Sequence, residues 1–267
     1  MISIQSQRHL LSDISLDAML IGDMLEVLQR ARTSQQRELI LYHNLHSLYL
    51  YQTRPAFKKL YSKASWIYID GIPVVWLGRA VGLPLKSTHR ITFLDCFDVI
   101  LDKAVECGCR IYYLGSSAEV NVKGLSLLRT RHPTLTLDGH HGYFAKSGAQ
   151  NEDVIAAINS FKPDVLFVGM GMPIQEEWLL TNCEKLNVSV IFTSGSTLDY
   201  ITGDAYQPPS WVGPLGLYGI ARLISEPRKL WRRYLIEPLI LLRYLVVPMM
   251  RQRVRPVRSI ELSEPWS

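Results

Sequence analysis

Six short runs of apolar, β-branched or aromatic residues recur along the chain, at Glu38–His43, Ser65–Ile69, Arg110–Leu114, Thr134–Leu137, Asp164–Val168 and Ser189–Thr193. They are short and nearly continuous in hydrophobicity, which predicts strands buried on both faces. Between them, apolar residues recur at helical spacing near 15–31, 72–82, 93–106, 117–130, 150–160 and 174–185. Alternating strands and helices predict an α/β fold with a mainly parallel sheet and helices on both faces. No internal repeat or low-complexity linker interrupts the pattern before about residue 204. The expected organisation is one body over 1–203 and a C-terminal helical appendage over 204–267.

Composition narrows the class. With 48% hydrophobic and 20% charged residues the chain is not of the disordered kind. The net charge of +5 is unevenly spread. Ten basic residues between Ile220 and Arg258 (Arg222, Arg228, Lys229, Arg232, Arg233, Arg243, Arg251, Arg253, Arg255 and Arg258) oppose only Glu226 and Glu237, a local +8. The remainder carries −3. A basic tail on a mildly acidic body seeks phosphate, as anionic lipid or as a diphosphate ligand. The most apolar stretch, 235–250, is cut by Glu237, Pro238, Arg243 and Pro248, and is expected to lie on a membrane rather than cross it. The first twenty residues do not read as a secretion leader. Cys96, Cys107, Cys109 and Cys183 lack metal-site spacing and are expected to be reduced thiols, which suits the cytoplasm. No Asp-x-Asp pair is present, so neither a metal nor a cofactor is expected.

In parallel sheets, ligands bind where strands end at the carboxyl edge. Asn44, His46 and Ser47 follow the first predicted strand, and Asp70-Gly71 follow the second. Gly115-Ser116-Ser117 follow the third, and Ser194-Gly195-Ser196-Thr197 the last. Gly169-x-Gly171-x-Pro173 with Gln175 and Glu176 lets backbone approach a ligand at a helix start, but departs from the dinucleotide pattern GxGxxG. Asp70 reads two ways: a general base facing the crevice, or a cap of the following helix. His140-His141 favours a loop or structural role over metal, since neighbours on a strand point to opposite faces. Arg228 and Arg232 are four apart, with Arg222 nearby, and could bind diphosphate or lie on lipid headgroups.

Taken in order and spacing, seven stretches resemble the WecG/TagA/CpsF family of bacterial glycosyltransferases. They are YHN (42–44), IDGIPVVWLGRAVGLPL (69–85), HRITFLD (89–95), YYLGSS (112–117), GHHGYF (139–144), VGMGMPIQEEW (168–178) and GPLGLYGIARLISEPRKLWRRYL (213–235). The resemblance implies a Rossmann-like catalytic domain with an appendage that meets the membrane and reaches over the active site. It implies a UDP-sugar donor, an undecaprenyl-diphosphate-linked sugar acceptor, inversion, and no required metal. Residue by residue, it implies Asp70 as base, with Asn44 and Arg90 in the active site. The donor would lie near Gly115, Ser116, Tyr143, Gly169, Gly171 and Gln175. Arg222, Arg228, Arg232 and Arg233 would neutralise the diphosphate leaving group, and His46, Thr92 and Asp95 would meet acceptor or sugar.

The chain also departs from the family. Tyr42-His43-Asn44 stands where much of it has Thr-x-Asn, and Phe93 where Gly follows Arg-x-Thr. Gln207-Pro208-Pro209 replaces Arg-Ala-Pro, and Gly216-Leu217-Tyr218-Gly219 replaces Gly-Leu-Glu-Trp. The first two departures weigh against N-acetylmannosamine, and HNLHSLYLY (43–51) with VGMGMP (168–173) resembles the branch that includes xanthan-type glucosyltransferases. The expectation is an enzyme transferring glucose in exopolysaccharide synthesis, peripheral on the cytoplasmic face of the cell membrane. The alternative is transfer of N-acetylmannosamine or its uronate onto lipid-diphosphate-GlcNAc. A rival of another class is a non-catalytic nucleotide-binding subunit of a polysaccharide assembly. Nucleic acid is disfavoured as a partner because long aliphatic runs separate the basic residues. Self-association is compatible with the apolar surface of the tail.

Overall fold

The computed structural model describes residues 6–33, 36–208, 212 and 217–251, with backbone alone at 229 and 245–251. Pro209, residues 213–216, Arg253, Arg255 and Arg258 lie outside the described residues.

Six parallel strands form the central sheet: β3 (Glu38–His43), β4 (Trp66–Ile69), β5 (Arg110–Gly115), β6 (Thr136–His140), β7 (Val165–Gly169) and β8 (Val190–Thr193). Their spatial order is β4-β3-β8-β7-β5-β6. Alternate residues of each strand feed the two faces. Ile40, Tyr42, Tyr68, Ile111, Tyr113, Val165, Phe167 and Phe192 pack on one side with α1 (Ile21–Arg30) and α5 (Phe93–Glu106). Leu39, Leu41, Ile67, Leu114, Leu166, Val168 and Ile191 pack on the other with α3 (Pro55–Tyr61), α7 (Ala149–Phe161) and α8 (Ile174–Asn182). The expected fold class holds.

Four local expectations are corrected. The helix expected at 15–31 is instead a strand followed by a shorter helix. Alternating burial pairs β1 (Arg8–Leu11) with β2 (Ile14–Asp17) as an antiparallel hairpin, and α1 starts only at Ile21. Asp17 at the hairpin's end is held by a double hydrogen bond from Arg8, each 2.8 Å, and accepts the Ile67 N–H at 2.6 Å. Two helices not expected, α2 (Leu45–Thr53) and α3, fill the β3–β4 connection. Asn44 starts α2: its Oδ1 accepts the Ser47 N–H at 3.0 Å, while the Ser47 hydroxyl accepts the Asn44 N–H at 2.7 Å. Pro55 starts α3. β6 runs later than the expected 134–137 because it is an edge strand, where polar Asp138 and His140 are tolerated in the ladder beside β5. The helix expected to reach 185 ends at Asn182 and tightens into a 3₁₀ turn over Cys183–Lys185.

Past α4 (Ile72–Ala80), α6 (Ala118–Arg131) and α9 (Thr197–Ile201), the described residues end in α10 (Tyr218–Ser225), α11 (Pro227–Trp231), a π-helical stretch (Arg232–Ile236) and α12 (Glu237–Arg251). α12 lies along α2, and its Leu241 is buried with Leu11, Ile14, Leu48, Ile69 and Val74. The last helix therefore shares a hydrophobic core with the body.

The sheet has no spare room at the ends of β5 and β7. A Cβ on Gly115 would meet the Gly169 carbonyl oxygen at 2.2 Å, and one on Gly169 would meet the Tyr113 hydroxyl at 2.2 Å. Backbone cannot yield as a side chain can, so Gly115→Ala should lower unfolding free energy by about 1–3 kcal/mol in urea titrations.

Candidate active site

The parallel pairing of β3 with β4 ends at His43 opposite Ile69, and the Asp70 N–H donates to the His43 carbonyl at 2.9 Å. Asn44 and Asp70 therefore leave adjacent strands side by side. The Asn44 Oδ1 is committed to the α2 cap, so its amide N–H groups are what it offers Asp70, and a hydrogen bond joins the two. The cap reading of Asp70 does not hold: Gly71 precedes α4, and no side chain caps that helix. Gly71 adopts φ +136°, a conformation only glycine enters readily, and turns the chain away from the carboxylate.

Asp70 opens on a cavity of about 540 Å³ above the ends of β3, β4 and β8. Residues from all three strand ends, the first turn of α5 and the C-terminal helices line it. Burial pushes the Asp70 carboxyl up to about 6. The Asn44 hydrogen bond and the Arg90 and Arg233 charges pull the other way, while Asp95 adds to the rise. Arg90 is steadied by donating to the Thr92 hydroxyl at 2.6 Å, with Asp95 3.5 Å away. Thr92 lines the cavity; Asp95 is on the outer side of this group and does not.

Behind the cavity lies a second carboxylate. Glu176, 1% exposed, accepts from Gln175 Nε2 at 2.7 Å, and the Gln175 Oε1 accepts the Gly171 N–H at 3.1 Å. Burial raises Glu176 to about 7, against the Gln175 hydrogen bond and the Arg233 charge. Tyr42 stands between the two acids: burial raises its phenol strongly, with Glu176 and Asp70 adding to the effect. His43 is buried beneath α2, stacked on Tyr61 at 4.5 Å, and burial lowers it to about 3.

The C-terminal helices close the cavity from above. Arg222, Arg233, Tyr218 and Tyr234 line it. Arg222 stands over the Tyr200 ring at 5.7 Å and lies 3.7 Å from Glu226. Arg228 and Arg232 do not line the cavity and are exposed. Glu226–Pro227 separates Arg222 on α10 from Arg228 and Arg232, and Arg233 of the π-helical stretch lines the cavity in place of those two. His46 also lines the cavity, but its Nδ1 is 2.6 Å from Glu237 Oε2, tying α2 to α12.

The remaining expected residues lie elsewhere. Gly115, Ser116 and Gly169 sit at the ends of β5 and β7, outside the cavity lining, with the Ser116 hydroxyl donating to Asp199 at 2.6 Å. The Gly142 N–H donates to the Ser116 carbonyl at 2.7 Å, packing these turns on one another. Tyr143 is 78% exposed beside them. Gly171 lines the cavity, whereas Gln175 acts on it from behind through Gly171. Tyr42, Tyr68, Tyr200, Tyr218 and Tyr234 line the cavity and were not among the expected site residues. Counting back two positions from Asn44 and Asp70 along their strands would have found the first two. Among the described residues no cluster of His, Cys, Asp or Glu is arranged to hold a metal ion, and the His140 and His141 rings lie 4.2 Å apart, tilted by 32°.

An α/β fold whose carboxylate faces arginines from the C-terminal helices defines a class that comparison with known proteins specifies further. The Glycosyl transferase WecG/TagA/CpsF family matches residues 9–256. The chain belongs to this family. Proteins of Staphylococcus aureus strains MRSA252 and MW2 named N-acetylglucosaminyldiphosphoundecaprenol N-acetyl-beta-D-mannosaminyltransferase are each 30% identical over 195 residues, covering 73% of this chain and 72% of each relative.

Glu176 gives a test of the site's electrostatics. Its folded pKa lies above the ordinary carboxyl value of 4.5, so the stability it contributes is full below that value and is lost as pH rises through about 7. Glu176→Gln should match the wild type below pH 4.5 and be more stable above pH 7, by roughly 3 kcal/mol at most, in denaturant titrations across pH.

Proposed function

We propose that the chain is an inverting transferase that moves a sugar from a UDP-sugar to an undecaprenyl-diphosphate-linked sugar at a membrane surface. The observation that carries the proposal is Asp70. It caps nothing, opens on the cavity, is held by Asn44, and faces arginines from the body and the C-terminal helices. In the proposed step Asp70 takes the proton from an acceptor hydroxyl. That oxygen attacks the anomeric carbon as the bond to the UDP oxygen breaks, and the leaving electron pair stays on the diphosphate. Arg222 and Arg233 stabilise the charge that develops there. Arg90 steadies the ionised carboxylate.

The stretch 204–267 acts in this reading as a membrane-associating appendage. Ile220, Ile224, Leu235, Leu239 and Leu242 expose apolar surface on it, among arginines. No helix among the described residues is long and apolar enough to cross a membrane. Docking on anionic lipid would bring the cavity to a lipid-linked acceptor.

The names of the Staphylococcus aureus relatives favour N-acetylmannosamine as the transferred sugar and lipid-diphosphate-GlcNAc as the acceptor. Glucose transfer is the second reading, favoured by Tyr42 and Phe93, two cavity-lining residues at which the chain departs from the pattern of much of the family. Transfer from UDP-N-acetylmannosamine and UDP-glucose onto lipid-diphosphate-GlcNAc and lipid-diphosphate-glucose separates them. A non-catalytic subunit would transfer with no pair.

Asp70→Asn should lower kcat/KM on the productive pair about 100-fold to 10,000-fold. Because the base must be ionised, wild-type kcat/KM should rise with pH through about 6 and level off above it. Arg233→Ala should lower kcat, measured by UDP release, roughly 100-fold or more.

A further inference from the structure

Most polar groups on the cavity wall are already engaged. The Thr92 hydroxyl accepts from Arg90, and the Thr197 hydroxyl donates to the Ser194 carbonyl. The Ser194 hydroxyl meets the Tyr113 phenol at 3.4 Å. Tyr200 and Tyr218 bond to each other, and Tyr42 bonds to Gln175. Tyr68 differs. It lines the same cavity, its side chain is fully buried, and its hydroxyl has no hydrogen-bond partner among the described residues.

Its position is defined by the sheet. Tyr68 stands opposite Tyr42 in the β3–β4 ladder, with ring centroids 5.5 Å apart. It precedes Asp70 by two residues, on the same face, about 6–7 Å along the strand. The Asp70 charge acts on its phenol, and Phe93 and Cys96 of α5 belong to the same buried cluster, which sets it between the candidate base and the start of α5. Native proteins rarely leave a buried hydroxyl unpaired, and one that faces a cavity is satisfied when a ligand supplies the partner. A phenol both donates and accepts, as a sugar hydroxyl does.

We infer that Tyr68 reads a free hydroxyl on the acceptor sugar, next to the one that attacks, and so sets which acceptor sugar the enzyme accepts. The inference rests on the proposed role of Asp70: a sugar ring presenting one hydroxyl to Asp70 brings a second within reach of Tyr68. Tyr42 has its hydroxyl committed to Gln175 and shapes the wall without reading the sugar.

The test compares the full-length wild type with Tyr68→Phe, using lipid-diphosphate-glucose, lipid-diphosphate-GlcNAc and the singly deoxygenated forms of whichever is used. Without substrate, Tyr68→Phe should melt at the wild-type temperature or above it, because the hydroxyl it removes has no partner. A melting temperature lowered by several degrees would show a structural partner and overturn the inference. In transfer assays the wild type should lose roughly tenfold to a hundredfold in kcat/KM on one deoxy acceptor. Tyr68→Phe should show that loss on the parent acceptor and treat the parent and that deoxy form alike. A variant that falls equally on all acceptors yet still discriminates as the wild type does, or that does not fall at all, refutes the role of Tyr68 while leaving Asp70's intact. Wild-type silence on every acceptor refutes the parent proposal and this one with it.

Discussion

Everything at the site depends on where the β3–β4 ladder stops. Parallel pairing runs through Tyr42–Tyr68 and His43–Ile69, and the Asp70 N–H makes one further bond to the His43 carbonyl. From that point the two chains diverge, β3 into a helix capped by Asn44 and β4 through a glycine turn. The same bond that ends the sheet thus fixes an amide beside a carboxylate. A slip of β4 by one residue against β3 would turn Tyr68 and Asp70 to the face opposite Tyr42. Burial makes such a shift costly, because both faces of these strands are packed.

The cap on α2 is part of the chemistry. Asn44 and Ser47 satisfy each other's backbone groups, and the Ser47 hydroxyl also reaches His43 Nδ1 at 3.1 Å. With the Asn44 oxygen used in this way, its amide has one orientation, and a donor rather than an acceptor faces Asp70. A donor there favours the ionised carboxylate, while burial favours the protonated one. The carboxyl's position near 6 is the balance of the two, which is where a base serving near neutral pH is most useful.

The strands and the larger helices were legible because their hydrophobic pattern is simple. β7 is buried at every position, and α5 spans the expected Phe93–Glu106. The hairpin at Arg8–Asp17 was not, since Leu16 starts a helical stripe with Met19 and Leu20 as well as it fits alternation with Ile14. Asn44, Asp70, Arg90 and Thr92 came within reach because strand ends and one motif hold them close in sequence. Which arginines face the cavity could not be read in this way. The spacing of Arg228 and Arg232 puts those two on one face of a helix, but which face meets the cavity depends on how α10 and the π-helical stretch seat on the body, and that turns Arg222 and Arg233 inward. The pairing of His46 with Glu237 spans 191 residues and leaves no local trace.

The C-terminal helices and the two acids are bound together by charge as well as by packing. Arg233 favours ionisation of both Asp70 and Glu176, and Arg233 reaches them only because α12 is held against α2 by Leu241 and by the His46–Glu237 pair. Linkage makes this reciprocal: whatever seats the helices more firmly favours ionised acids beneath them, and ionised acids hold the helices more firmly in return. In the proposed reading, a membrane bound to the outer side of these helices acts on Asp70 through Arg233, without touching it. The basic residues of this region then divide by geometry, with Arg222 and Arg233 turned to the cavity and Arg228 and Arg232 left on the surface. Under the proposed function, one stretch of chain would thus meet phosphate on both of its sides, at a lipid headgroup and at a departing nucleotide.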